Sequence, residues 1–224
     1  MGKNLYIRLA KTGSSSISDV INKDTDEVIP IINHYNLVSN SEYDYKFTFI
    51  RNPYDRMVSS YHNLVKNPKT INMRTTLRNK LNGETSFMDF LTFVNYHRDN
   101  IGESKLNKEK NIHLYPWYKN STTTDVDRKD EHTFQLFWIL NHTESLTDSI
   151  EFFIPINELD FIGKFENFNE DFKFIKSKLN LNKELPHLNK SNNRDRYGNY
   201  YNNETFDIVT KMYQKDLNNF NYKF

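Results

Sequence analysis

The sequence predicts an α/β fold with a central, mostly parallel sheet flanked by helices. Three observations carry that expectation. Short apolar stretches of period two alternate with stretches of helical period along the 224 residues. Two of the strand-like stretches, residues 4–9 and 45–50, run straight into polar loops that open helices. Only 6 Gly and 6 Pro are present, which leaves little room for linkers. The length fits one domain, residues 1–224. The chain is polar, with a mean hydropathy of −0.80. Even so, 37% hydrophobic and 15% aromatic residues suffice for a core.

In chain order, Leu5, Ile7 and Leu9 alternate with Tyr6 and Arg8 in a first strand. The next helix carries Ile17, Val20 and Ile21, and Ser14 to Ser16 are residue types that cap such a helix. Residues 45–50 form a second strand with Tyr45, Phe47 and Phe49 on one face. It breaks at Arg51-Asn52-Pro53, and Pro53 suits the first turn of a helix whose stripe is Val58, Tyr61, Leu64 and Val65. Residues 66–130 are largely polar and read as a lid or insertion, with one amphipathic helix around Phe87 to Val94. Residues 134–140 are densely apolar and fit a buried strand or a helix equally well. Residues 150–156 and 161–165 read as strands. Residues 169–179 read as a helix with Phe172, Ile175 and Leu179 inward. Residues 187–203 form a polar loop, and residues 205–220 a last helix with Ile208, Met212 and Tyr213 at core spacing.

Thirty Lys and Arg against 29 Asp and Glu give a net charge of +1, so the basic footprint of a nucleic-acid partner is missing. Without cysteine there is no disulfide framework and no thiolate metal site. No apolar run reaches the roughly 18 residues of a membrane span, and the N-terminus lacks a signal-peptide core. The expectation is a soluble, cytoplasmic protein.

Two motifs carry chemistry. Lys11-Thr12-Gly13-Ser14-Ser15-Ser16 joins a strand to a helix. A helix N-terminus supplies N–H donors and a positive dipole end, Gly13 admits a close backbone approach, and Lys11 adds a cation. The order is not that of a Walker A loop, because the lysine precedes the glycine. The plain alternative is a Ser-capped helix. The second motif runs from Arg51-Asn52-Pro53-Tyr54-Asp55-Arg56 to Ser59-Ser60-Tyr61. Arg51 at a strand end suits bidentate phosphate recognition, against the plain reading of a surface arginine beside an Asp55–Arg56 turn.

Together these segments resemble the PAPS-dependent carbohydrate sulfotransferases, the family that includes heparan sulfate 2-O-sulfotransferase and the chondroitin and dermatan enzymes. Residues 8–16 resemble its 5′-phosphosulfate loop and residues 47–61 its 3′-phosphate motif. Phe161-Ile162-Gly163-Lys164-Phe165-Glu166-Asn167 resembles a third signature, and residues 185–191 the C-terminal cofactor loop. The resemblance runs in order through the chain and is weak from about residue 66 to 148. It implies a P-loop-like, three-layer fold. The donor it implies is 3′-phosphoadenosine 5′-phosphosulfate (PAPS), which leaves as 3′,5′-phosphoadenosine after sulfuryl transfer to a hydroxyl of a small molecule or glycan. Lys11, Thr12, Gly13, Ser14, Ser15 and Ser16 would grip the 5′-phosphosulfate, and Arg51 and Ser59 the 3′-phosphate. Lys190, Ser191 and Arg194 would close over the cofactor.

Sulfuryl transfer resembles phosphoryl transfer in its in-line geometry, so Lys11 would neutralise charge on the bridging oxygen of the leaving group. No metal is required, and no HExxH, EF-hand or Cys/His cluster is present. His34 is the candidate general base, against an ordinary surface histidine. Glu166 is a second candidate, against a cap for the next helix. His132 and Gln135 resemble a substrate-proximal His-x-x-Gln element, with His113 and Pro116 as rivals. Trp117, Tyr118, Tyr197, Tyr200 and Tyr201 suit stacking on a sugar or adenine, with packing favoured for the last two. Two further readings stay open: a small nucleotide kinase, separable by comparing ATP with PAPS in a thermal shift assay, and a non-catalytic nucleotide- or carbohydrate-binding relative.

Overall fold

The computed structural model describes residues 3–25, 28–32, 43–67, 84–101, 139, 142–151, 153–186 and 195–224. Its elements are β1 (Lys3–Arg8), α1 (Ser14–Asp24), β2 (Val28–Ile32), β3 (Tyr43–Ile50), α2 (Pro53–Tyr61), α3 (Phe87–Ile101), α4 (Leu146–Glu151), β4 (Phe161–Lys164), α5 (Phe168–Lys178), α6 (Asn203–Met212) and α7 (Gln214–Phe220). The chain forms two compact units, one of Met1–Asn52 with Leu146–Asp195, the other of Pro53–Ser145 with Arg196–Phe224.

The first unit holds the sheet, ordered β2-β1-β3-β4. Every pairing is parallel: Ile7 lies beside Ile31 on one side and Thr48 on the other, and Phe49 beside Gly163. Parallel strands end at the same edge, so the polar loops after β1 and β3 leave the sheet side by side. Alternation sets the core. Tyr6, Phe47 and Phe49 project to the face packed by Ile17, Val20 and Ile21 of α1 and by Phe172 and Ile175 of α5. Leu5, Ile7 and Ile50, of the opposite parity, are equally buried, as both faces of a parallel sheet require. Each such side chain contributes about 1.5–3 kcal/mol of burial. Gly163 makes room for this packing, since a Cβ there would lie 2.5 Å from the Phe49 ring. The predicted α/β class is therefore the one found.

The second unit is helical where described. α2 begins at Pro53, as the missing N–H of proline favours, and runs into a π-helical turn at His62–Lys66. Met57, Val58, Phe90, Leu91, Val94 and Val209 form its core. A reciprocal capping box between Asn202 and Thr205 starts α6. Among the described residues no helix is long and apolar enough to cross a membrane.

Three expectations change. Residues 150–156 do not form a strand: Leu146, Thr147, Ser149 and Ile150 are the buried positions of α4, a helical spacing, and a turn follows at Phe153 and Ile154. The last helix is divided at Tyr213, whose buried hydroxyl donates to the Thr143 carbonyl. β2 is an additional strand. It contains Pro30, which an edge strand tolerates because one side of its backbone needs no ladder partner. Within residues 134–140 only Ile139 is described, and it is helical. Of the proposed insertion, residues 66, 67 and 84–101 are described, and the last of these stretches holds α3.

Candidate active site

The loop between β1 and α1 is shaped by two left-handed residues, Lys11 (φ 69°) and Gly13 (φ 82°). At Lys11 that conformation is uncommon for a residue with a Cβ and is held by its surroundings. Thr12, fully buried between them, donates its hydroxyl to the Leu9 carbonyl at 3.0 Å. The hydroxyl proton of Thr12 is thereby committed to the backbone. Gly13 is the N-cap of α1, and the Ser16 amide donates to its carbonyl at 3.0 Å. Ser14, Ser15 and Ser16 thus form the first turn rather than the cap, and Ser14 and Ser15 contribute N–H groups that a helix start leaves without intrahelical acceptors. Gly13 is doubly required. Beyond its φ, a Cβ would lie 2.4 Å from Phe168 Cζ.

The loop after β3 is joined to the first. Thr48, fully buried, donates its hydroxyl to the Ile7 carbonyl at 2.7 Å, which secures the strand pair just before both loops begin. Arg51 is only 6% exposed, and its Nη1 donates to the Lys11 carbonyl at 3.0 Å. The surface-arginine reading is thereby corrected. The guanidinium carbon also lies over the Phe165 ring, 4.1 Å from its centroid. Glu166 accepts the Asn52 amide proton at 2.7 Å through Oε1. The N-cap of α5 is Asn167, whose side chain makes no cap bond. Glu166 secures the Arg51 loop. The third sequence signature therefore braces the second loop, Phe165 and Glu166 at Arg51 and Asn52, and Phe168, the residue after it, packs at Gly13. An aromatic pair of helical spacing, Phe165 and Phe168, was the available sequence signal for this.

In the second unit Ser59 lies on α2 and is 6% exposed. Arg56, at 1% exposure, is no turn residue on the surface. It donates to the Glu144 carbonyl through Nη1. Burial lowers its pKa, opposed by the charges of Asp216 and Glu144 nearby. Ser60 donates to the His142 carbonyl at 2.8 Å, Arg98 to the Thr143 carbonyl at 2.9 Å, and Ser145 to Asp216 at 2.7 Å. This polar network clamps residues 142–145. Tyr200 and Tyr201 pack as favoured: Tyr200 shares a hydrogen bond with His62 at 2.7 Å, and Tyr201 donates to the Tyr54 carbonyl at 2.9 Å. His34, His113, Pro116, Trp117, Tyr118, His132, Gln135, Lys190, Ser191 and Arg194 lie outside the described residues.

A parallel sheet whose adjacent strand ends carry a helix N-terminus, a lysine and a buried arginine is an α/β arrangement suited to an anionic ligand at that edge. A family model described as "Sulfotransferase family" matches residues 3–223, and the chain belongs to that family. It is a PAPS-dependent sulfotransferase acting on a hydroxyl acceptor. Comparison with curated proteins and with solved structures gives no match.

Proposed function

We propose that the loops after β1 and β3 bind opposite ends of one PAPS molecule and that the acceptor hydroxyl belongs to a carbohydrate. The observation that supports the donor assignment best is the hydrogen bond from Arg51 Nη1 to the Lys11 carbonyl, which joins the two motifs at one sheet edge. The residues fit the group. The first turn of α1 offers backbone donors beside a glycine that carries no side chain, and Arg51 brings a buried guanidinium to the same loop. The carbohydrate reading is supported by the likeness of residues 47–61 to the carbohydrate enzymes.

In this reading Thr12 to Ser16 orient the 5′-phosphosulfate, and Arg51 the 3′-phosphate. Ser59 is assigned to the 3′-phosphate, and Lys190, Ser191 and Arg194 to the cofactor, by their motifs alone. His34 accepts the acceptor's proton, and His132 with Gln135 hold the acceptor. The attacking oxygen forms the new S–O bond as the bond from sulfur to the bridging phosphate oxygen breaks. Lys11 neutralises the charge that collects on that oxygen, and no metal takes part.

The test is a PAPS-dependent assay over a panel of hydroxyl acceptors, read by mass spectrometry, with two variants. Lys11→Ala is expected to lower turnover by about 10²–10³-fold. Arg51→Ala is expected to weaken binding of 3′,5′-phosphoadenosine by about 30-fold or more, the lower end for removing one partner of a buried charge pair. Wild-type behaviour in both variants would end the assignment. Transfer only to a phenolic or lipid hydroxyl would end the carbohydrate reading.

A further inference from the structure

We propose that Phe165 is a positioning residue that makes the enzyme selective for a 3′-phosphorylated donor, by fixing the plane of the Arg51 guanidinium. The inference rests on the assignment of Arg51 to the 3′-phosphate and adds the residue that tunes it.

The five N–H donors of a guanidinium lie in its plane, so bidentate recognition of phosphate requires that plane to be set in advance. Two of its contacts bear on that plane. The Phe165 ring lies beneath the guanidinium carbon at 4.1 Å, well inside the roughly 6 Å range of a cation–π contact. This limits tilt. The bond from Nη1 to the Lys11 carbonyl at 3.0 Å limits rotation within the plane.

Phe165 is itself anchored. Its ring centroid lies 5.2 Å from that of Phe168, which meets Phe49 of β3 edge-on at 5.6 Å. Phe49 is fully buried in the sheet core. An aromatic chain from Phe49 through Phe168 and Phe165 therefore carries the rigidity of the sheet out to Arg51. Glu166, the next residue, holds the amide of Asn52 beside the same arginine. A half-buried phenylalanine in a short turn after β4 has no comparable role in the core. Its ring is spent on the arginine.

A nucleotide without a 3′-phosphate does not draw on Arg51, so its affinity is indifferent to the orientation of that side chain. A nucleotide with one is sensitive to it. The readout is the ratio of the Kd for adenosine 5′-monophosphate to that for 3′,5′-phosphoadenosine, measured calorimetrically on the full chain for wild type, Phe165→Leu, Phe165→Trp and Arg51→Ala. Phe165→Leu is expected to lower the ratio by about 3- to 30-fold, the span of a cation–π contact, with adenosine 5′-monophosphate affinity unchanged. Phe165→Trp, which restores an aromatic face, is expected to keep the ratio at or above the wild-type value. An unchanged ratio in Phe165→Leu, or equal losses for both nucleotides, would overturn the role of Phe165 while Arg51→Ala still collapses the ratio. A ratio that Arg51→Ala leaves intact would instead overturn the assignment of Arg51 beneath it.

Discussion

Arg51 and Arg56 belong to one motif and are both buried, at 6% and 1% exposure, yet their surroundings differ in kind. Arg51 stands where β3 ends, tied to a backbone carbonyl of the other loop and backed by an aromatic ring. Arg56 sits inside a helical unit, tied to the Glu144 carbonyl with Asp216 and Glu144 supplying opposing charge. The first arrangement orients a cation, and the second neutralises one. Burial of an arginine therefore does not mark a site. At Arg51 a backbone carbonyl and an aromatic face bear on the direction of the guanidinium, whereas at Arg56 the charges of Asp216 and Glu144 lie nearby. A buried ion network of the second kind matters chiefly when broken, because its acids are then left without compensation.

The comparison breaks most visibly at Arg56. Arg56→Ala is expected to cost about 3–5 kcal/mol of stability, since Asp216 is fully buried. For a chain of this length that is a fall of roughly 6–20 °C in Tm by calorimetry. A change below about 2 °C would show that Arg56 is not the centre of the network.

A smaller effect concerns Asp24, a half-buried charge anchored to backbone. Its carboxylate accepts the amide protons of Lys183, at 3.0 Å, and of Asn182. These hydrogen bonds, that of Lys183 foremost, hold its pKa below the ordinary Asp value. A depressed pKa means stability that is present above the unfolded pKa of about 3.9 and lost as pH falls through the lower folded value. Asp24→Asn should therefore flatten the dependence of Tm on pH below about 4, with a slightly lower Tm at neutral pH that converges on the wild-type value in acid. An identical acid slope in the variant would contradict the anchoring.

The two strand–loop–helix units were legible because each of their signals is local. Alternation gave β1 and β3, Pro53 gave the start of α2, and Gly13 with its flanking polar residues gave the first loop. β2 escaped because Pro30 argues against a strand until its edge position is known. Residues 150–156 were misread because a short apolar run does not reveal its period, and burial at Leu146 and Ile150 decides it. The bracing of the loops was hidden for a different reason. Glu166 and Asn52 are 114 residues apart, and no local pattern records a contact across that distance. Arg56 and Arg51 likewise look alike in sequence and separate only once their neighbours are seen.

The most direct measurement is a crystal structure with 3′,5′-phosphoadenosine bound. The account predicts the 5′-phosphate at the first turn of α1 and the 3′-phosphate on the Arg51 guanidinium, with Phe165 still beneath it. A nucleotide seated away from the ends of β1 and β3, or an Arg51 turned from both phosphates, would contradict it.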